Sequence, residues 1–209
     1  MGTNKREGIY RMNLTKLFEI QRILDEKIVK EKGLEGQDLL DKKILALQVE
    51  LGELAQNWRG FKFWSNDQEP RNGGKCNCDD GYLDVYMGDG VVEQKMCERC
   101  NGTYEVPNTL LEEYVDCLHF LLSIGNDLGV NRIKQKHKHR YDIETAFIHL
   151  FMGVGVISTR GDSVREDNYK MTFSLFLRLG EMLGFTWEQI VDAYYKKNEI
   201  NHERQENGY

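Results

Sequence analysis

Proline and long apolar runs are what this chain has least of. Two prolines occur in 209 residues, Pro70 and Pro107, and because proline breaks the helical hydrogen-bond ladder, most of the chain is left open to helix. No apolar stretch approaches the roughly 20 residues a spanning helix needs, and mean hydropathy is negative. A membrane-spanning helix is excluded and a soluble product expected. No charged-then-apolar leader opens the sequence, so a cytoplasmic location is expected. Positive charge is short as well: 28 Lys and Arg stand against 34 Asp and Glu, a net charge of −6. That balance supplies no cationic field for a nucleic-acid backbone, so DNA and RNA are not the expected ligands. Cysteine is sparse at five residues, and in a reducing compartment cysteines serve as metal ligands or buried thiols before they serve as disulfides.

What is present reads as helix. The length suits one domain, or one domain with an insertion. Residues 1–12 are polar and are set aside as an N-terminal extension. From Leu14, the apolar positions Leu17, Ile20, Leu24 and Ile28 recur at three- and four-residue intervals, the stripe of an amphipathic helix, with Gln21 inside it. A second helix is predicted from Asp41 to Trp58, with Ile44, Leu47, Leu51, Leu54 and Trp58 on its apolar face. A third, from Leu110 to Leu128, is apolar over most of its circumference and is expected to be central. Its polar residues Glu112, Glu113, Asp116, His119, Ser123 and Asp127 fall in one strip. Further helices are predicted over Asp142 to Ser158 and Asp167 to Leu183. A last one starts at Thr186, where Gln189 completes a capping box. The fold class is all-α, a helical bundle.

Between the second and third helices the texture changes. Residues 65–108 hold both prolines, many glycines and alternating rather than helical spacing, which predicts an inserted lobe separating a bundle made of residues 13–64 and 109–209. Tyr82 to Tyr86 and Val91 to Met96 flank Met87-Gly88-Asp89-Gly90 and predict a β-hairpin.

Two patterns carry chemistry. Glu50-Leu-Gly-Glu53 and Glu113-Tyr-Val-Asp116 each put two carboxylates on one side of a helix. If the helices pack antiparallel, four carboxylates converge and repel one another unless a divalent ion neutralises them. An oxygen-only set selects Mg²⁺ or Mn²⁺. The same spacing also describes a solvated helix face, although Glu113 and Asp116 lie on the otherwise apolar central helix, where an unpaired charge costs several kcal/mol. The second pattern is Cys76-Asn-Cys78 with Cys97-Glu-Arg-Cys100, two short-spaced pairs around the hairpin. It matches a closed four-thiolate Zn²⁺ site whose metal supplies the folding energy of a lobe with little core. Redox-active or unpaired thiols are the alternatives. Acidic neighbours such as Asp79, Asp80, Asp84, Asp89, Glu93 and Glu98 argue against nucleic-acid binding by such a lobe. Cys117 on the central helix is expected to be a buried thiol.

Three segments in this order, Leu47 to Trp64 (LQVELGELAQNWRGFKFW), Leu111 to Leu122 (LEEYVDCLHFLL) and Tyr194 to Tyr209 (YYKKNEINHERQENGY), resemble the dimeric all-α dUTPases. Those belong with the MazG-like enzymes among the all-α nucleoside triphosphate pyrophosphatases. The resemblance implies a Mg²⁺-dependent hydrolase that cleaves dUTP to dUMP and pyrophosphate, with dUDP as a second substrate, and a homodimer. By it, Glu50, Glu53, Glu113 and Asp116 match the Mg²⁺-binding positions, with Glu50 the residue expected to take the proton of the attacking water. Lys62, Lys197 and Arg204 fall in the phosphate-contacting segments. Gln21, Asn198 and Asn201 are the amides by position for uracil, and Trp64 the stacking ring. Trp58 is expected in the core, and His119 either lines the site or is a buried structural histidine. The cysteine insert departs from the family pattern. Two rival readings stay open: a MazG-like pyrophosphatase for another nucleotide such as dCTP, and a non-catalytic zinc-ribbon adaptor.

Overall fold

The computed structural model describes residues 3–76, 78–88, 90–98, 100–133, 141–159 and 162–208. Of the features named above, Met1, Asp89 and Tyr209 lie outside them, and of residues 3–13 the backbone alone is described. In chain order the elements are α1 (Thr3–Glu31), α2 (Leu40–Trp58), β1 (Gly74–Lys75), β2 (Tyr82–Tyr86), β3 (Val92–Met96), β4 (Glu105–Val106), α3 (Thr109–Asp127), α4 (Ile143–Thr159), α5 (Asp162–Met182) and α6 (Trp187–Glu206). The protein is all-α, with two small two-stranded sheets among the described residues. Helix α1 already begins at Thr3, within the stretch set aside as an extension, and α5 starts at Asp162, five residues before the predicted Asp167. Thr186 caps α6 as expected: its hydroxyl accepts from the Gln189 N–H, and the Gln189 side chain accepts from the Thr186 N–H.

The chain divides into two compact units. One is Met1–Gln56 with Leu111–Tyr209, the other Asn57–Leu110. In the first, the predicted stripe is buried at Leu14, Leu17, Gln21 and Leu24. Helix α3 is the axis: Tyr114, Val115, Cys117, Leu118, Leu121, Leu122 and Ile124 are all essentially inaccessible. Tyr114 stacks on Phe176 of α5 with centroids 4.2 Å apart. The Tyr169 hydroxyl of α5 donates to the Leu121 carbonyl at 2.7 Å, so a buried hydroxyl finds the partner it needs. Asn126 Nδ2 donates to the Phe18 carbonyl of α1 at 3.0 Å.

Helix α2 runs antiparallel to α3. Near its start Lys43 Nζ lies 2.7 Å from Asp127 at the end of α3, and near its other end Asn57 meets Thr109, whose Oγ1 donates to Asn57 Oδ1 at 2.6 Å. That arrangement is the condition the two carboxylate pairs require.

The second unit holds two antiparallel ladders, β1 with β4 and β2 with β3. Cys76, Cys78, Cys97 and Cys100 form its buried cluster, with Tyr104 and Val106 packed against it.

Candidate active site

Glu50, Glu113 and Asp116 come together. Each offers a carboxylate oxygen, and the three lie within 4.8 Å of one another. Glu50 reaches the group from the middle of α2, Glu113 and Asp116 from the second and third turns of α3, three residues apart and therefore on one face. All three are half-buried. Glu53 is exposed and stands outside that group, yet its charge is felt at both Glu50 and Glu113.

The electrostatics describe a site with too much negative charge. Burial, then the charges of Asp116 and Glu53, push the Glu50 carboxyl up to about 7. Burial, then Glu53, Asp116 and Glu50, do the same to Glu113, also to about 7. Lys197 of α6 opposes both shifts, with its Nζ 2.6 Å from Asp116 Oδ2. Carboxylates pushed up by burial and by one another's charge are a donor set suited to a hard divalent cation, whose binding would remove the repulsion.

A buried polar cluster continues from this group. His119 lies one helical turn beyond Asp116 and stacks on Tyr194 of α6, with centroids 4.3 Å apart and the rings 19° from parallel. Its Nδ1 donates to Gln21 Oε1 at 2.7 Å, and the Tyr194 hydroxyl donates to the same oxygen at 3.0 Å. Gln21 Nε2 donates to Asp25 Oδ1 at 2.8 Å. Gln21 thus spends both lone pairs and one N–H inside the protein, satisfying the buried amide the sequence placed in an apolar stripe. Burial first, then Lys197, depress the His119 imidazole to about 3, so it is neutral, with Nε2 as an acceptor. Among the described residues, His119 Nε2 and Asn198 Nδ2 are buried side-chain atoms without a hydrogen bond.

The remaining predicted residues are placed as follows. Asn201 is half-buried and Arg204 exposed on α6. Lys62 and Trp64 belong to the second unit. There Lys62 Nζ is 5.8 Å from the Phe61 ring centroid, and Trp64, 66% exposed, meets Phe61 and Phe63 edge-on. Trp58 is buried at the end of α2 and Cys117 is fully buried, both as expected. Asp25, Ser123 and Tyr194 are the polar residues around Gln21 and His119 that the sequence reading did not assign. Asp25 follows Gln21 by four residues on the buried stripe, a spacing that could have marked it. Burial raises its carboxyl, opposed by Gln21, Lys43 and Ser123. A separate cavity of about 620 Å³, lined in part by Val29, Lys43, Asp127 and Arg165, contains none of the predicted site residues.

In the second unit the four cysteines offer sulfurs that all lie within 4.8 Å of one another. Cys76 Sγ is 3.7 Å from Cys97 Sγ, and Cys78 Sγ is 3.6 Å from Cys100 Sγ. A tetrahedral site with Zn–S bonds of about 2.3 Å has edges of ~3.8 Å, so the quartet fits Zn²⁺. None of the four is in a disulfide.

The sequence model of the dUTPase family matches residues 13–85 and 101–209. The chain belongs to the dUTPase family. The matched ranges contain every carboxylate of the site, together with Gln21, His119, Tyr194, Lys197 and Asn198. They pass over residues 86–100, which carry β3 and two of the four cysteines, Cys97 and Cys100. No curated protein matches the chain. Membership in the dUTPase family supports a hydrolase that acts on nucleotides.

Proposed function

We propose that this protein is a dUTP diphosphatase, hydrolysing dUTP, and dUDP as a second substrate, with release of dUMP. The observation that carries the reading is the convergence of Glu50, Glu113 and Asp116 within 4.8 Å from two antiparallel helices, in a chain of the dUTPase family. These three residues would hold Mg²⁺ or Mn²⁺, with Glu53 at the edge of the site. When bound, the cation neutralises charge on the phosphate chain and on the departing pyrophosphate.

Glu50 takes a proton from a water molecule as its oxygen bonds to the α-phosphorus, and the bond from that phosphorus to the bridging oxygen breaks. With dUTP the leaving group is pyrophosphate, with dUDP phosphate. Lys197, held beside the carboxylates by Asp116, contributes a fixed positive charge for the phosphates, joined by Arg204 of the same helix. Positioning and charge neutralisation supply most of the acceleration.

For the base and sugar, the buried atoms without partners matter most. Neutral His119 Nε2 accepts and Asn198 Nδ2 donates, which suits a nucleoside presenting both an N–H or hydroxyl donor and a carbonyl acceptor. Gln21 orients His119 and keeps its second Nε2 hydrogen for the ligand. Asn201 supplies a further amide.

The enzyme is a homodimer in this reading. Leu45 and Val49 on α2 and Ile148 and Met152 on α4 are all at least half exposed. These two helices are neighbours, because the Ser158 hydroxyl donates to Asp41 at 2.8 Å, and an apolar stripe left open on them suits a second copy. Light scattering returning the mass of one chain rejects the dimer. Among the described residues no helix is long and apolar enough to cross a membrane. The reducing cytoplasm is the compartment in which the four thiols stay available to Zn²⁺.

The deciding experiment is hydrolysis of dUTP, dTTP and dCTP with and without Mg²⁺, read as pyrophosphate release. Turnover of dUTP that needs the metal and exceeds the others at least tenfold is expected. Comparable rates on all three would instead mean a less selective, MazG-like pyrophosphatase, and no turnover at all would favour the zinc-ribbon adaptor.

A further inference from the structure

Within the helical unit, Asp25, Gln21, His119 and Tyr194 form a hydrogen-bonded group that has a charge at one end only. Asp25 lies one turn beyond Gln21 on α1, and Gln21 Nε2 donates to Asp25 Oδ1 at 2.8 Å. Gln21 Oε1 accepts from His119 Nδ1 of α3 at 2.7 Å and from the Tyr194 hydroxyl of α6 at 3.0 Å. Gln21, His119 and Tyr194 are all buried, so bulk water does not reset these partners.

A glutamine amide has two ends of opposite character, and a neutral histidine carries its proton on one nitrogen and accepts at the other. Neither side chain chooses its orientation alone. A carboxylate does, because in its ionised form it only accepts. Burial raises the Asp25 carboxyl, and Gln21, then Lys43 and Ser123, oppose that rise. The Lys43 ammonium stands 4.0 Å from Asp25 Oδ2 and favours the charged form.

Ionised Asp25 therefore takes the NH₂ end of Gln21 and leaves its oxygen for His119 and Tyr194. His119 must then carry its proton on Nδ1. Its Nε2 remains an acceptor, buried and without a hydrogen bond. Turned over, the amide would set its own oxygen against the Asp25 carboxylate and its NH₂ against His119. The histidine would then need its proton on Nε2, and the open nitrogen would become a donor.

We propose that Asp25 is a positioning residue for base selection: through Gln21 it holds His119 Nε2 as an acceptor, and so favours a base with a ring N–H over one with a bare ring nitrogen. Uracil presents N3–H between two carbonyls, whereas cytosine presents an unprotonated N3 beside an amino group. Asn198 Nδ2, likewise buried without a hydrogen bond, is a donor and matches a carbonyl on the same edge. Cytosine would set acceptor against acceptor and donor against donor. The proposal rests on the reading of this cluster as the nucleoside side of a dUTP site. Asp25 itself touches no substrate and acts through Gln21.

The test is Asp25→Asn in the full chain at pH 8, a change that keeps the shape but can offer Gln21 either an oxygen or an NH₂. Nitrogen chemical shifts of the His119 ring report which nitrogen carries the proton, and kcat/KM for dUTP and for dCTP with Mg²⁺ reports base choice. Wild type is expected to hold the proton on Nδ1. Asp25→Asn is expected to populate the Nε2–H form and to lower the preference for dUTP over dCTP about five- to tenfold. A fall in Tm with the ring and the preference both unchanged is what a merely structural carboxylate gives, and it overturns the proposal. So does a proton that moves while the preference stays. A wild-type ring protonated on Nε2 overturns it as well, even where Asp25→Asn does not fold. Wild-type protein that hydrolyses no nucleotide removes the diphosphatase reading and base selection together; wild type that prefers dUTP, with Asp25→Asn equally selective, removes the role of Asp25 alone.

Discussion

Lys197 Nζ lies 2.6 Å from Asp116 Oδ2, and this single ammonium stands against three converging carboxylates. The pair is about four-fifths buried on both sides, at 22% and 19% side-chain exposure, so solvent screens it less than it would a surface pair. It leaves the remaining carboxylates short of positive charge, which is why burial and mutual repulsion push Glu50 and Glu113 up to about 7. That imbalance is the physical basis for proposing a cation there.

Glu50→Gln should separate function from stability. Removing one of the repelling charges is expected to stabilise the metal-free protein at pH 8 by about 1 kcal/mol, which raises the Tm of a chain this size by ~2–4 °C. The same substitution removes the proton acceptor and should lower dUTP turnover by about 10²- to 10⁴-fold. Parallel thermal melts and pyrophosphate-release assays decide it; an active Glu50→Gln protein would point to the adaptor reading.

The stabilisation conferred by Mg²⁺ or Mn²⁺ should grow with pH. Glu50 and Glu113 have folded-state values near 7, above the ordinary carboxylate value, so between roughly pH 4.5 and 7 the folded state holds more protons than the unfolded one. Stability falls as pH rises through that window, and the loss is complete above it. A bound cation relieves the loss, by about 2 kcal/mol for the pair once solvent screening is allowed for. His119 tilts the other way: with its folded value depressed to about 3, it costs stability as pH falls below its ordinary value. Comparing Tm with and without metal at each pH cancels the histidine. The metal-induced rise should be several degrees larger at pH 8 than at pH 5, and an equal rise at both would contradict the charge account.

Much of this was legible in the sequence, because it depends on local spacing. The stripe from Leu14 through Gln21 to Ile28, the Thr186 and Gln189 cap, the two carboxylate pairs and the two cysteine pairs are each written within a few residues, and periodicity reads them. What spacing does not encode is pairing between distant segments. His119 meets Gln21 across 98 positions, and Tyr194 meets it across 173. In the sequence Tyr194 is therefore only one letter of a motif, and its stacking on His119 comes from the fold. The two-residue strands Gly74–Lys75 and Glu105–Val106 are too short to carry an alternating pattern, so the sequence shows the hairpin but not the short ladder below it.

Tyr194→Phe should expose the role of the buried cluster. It keeps the ring stacked on His119 but deletes the hydroxyl that shares Gln21 Oε1. A net loss of about 1 kcal/mol is expected for one buried hydrogen bond, with KM for dUTP rising several-fold and kcat nearly unchanged, because the carboxylates are untouched. Nitrogen chemical shifts of His119 provide an independent reading. The ring should stay neutral, with its proton on Nδ1, at pH 5 in both wild type and variant, and a protonated ring there would remove the acceptor assigned to the nucleoside.

Zinc stoichiometry tests the second unit directly. The sulfur separations of 3.7 and 3.6 Å match a tetrahedral thiolate site, and burial, followed by the neighbouring thiols of Cys76 and Cys100, pushes the Cys78 thiol up to about 12 in the absence of an ion. Zn²⁺ binds thiolates, so its uptake must release protons and is expected to acidify a weakly buffered solution and to weaken as pH falls. Protein purified without chelator should carry about one Zn²⁺ per chain. Co²⁺ substituted for it should give the visible absorption of a tetrahedral thiolate complex, with sulfur-to-metal charge transfer in the near ultraviolet. Cys97→Ser removes one corner of the site and should abolish both the stoichiometry and that spectrum. Because Cys97 and Cys100 lie in the stretch that the dUTPase family model passes over, a metal-free wild-type protein with four freely titrating thiols would leave the quartet as a reduced sulfur core and nothing more.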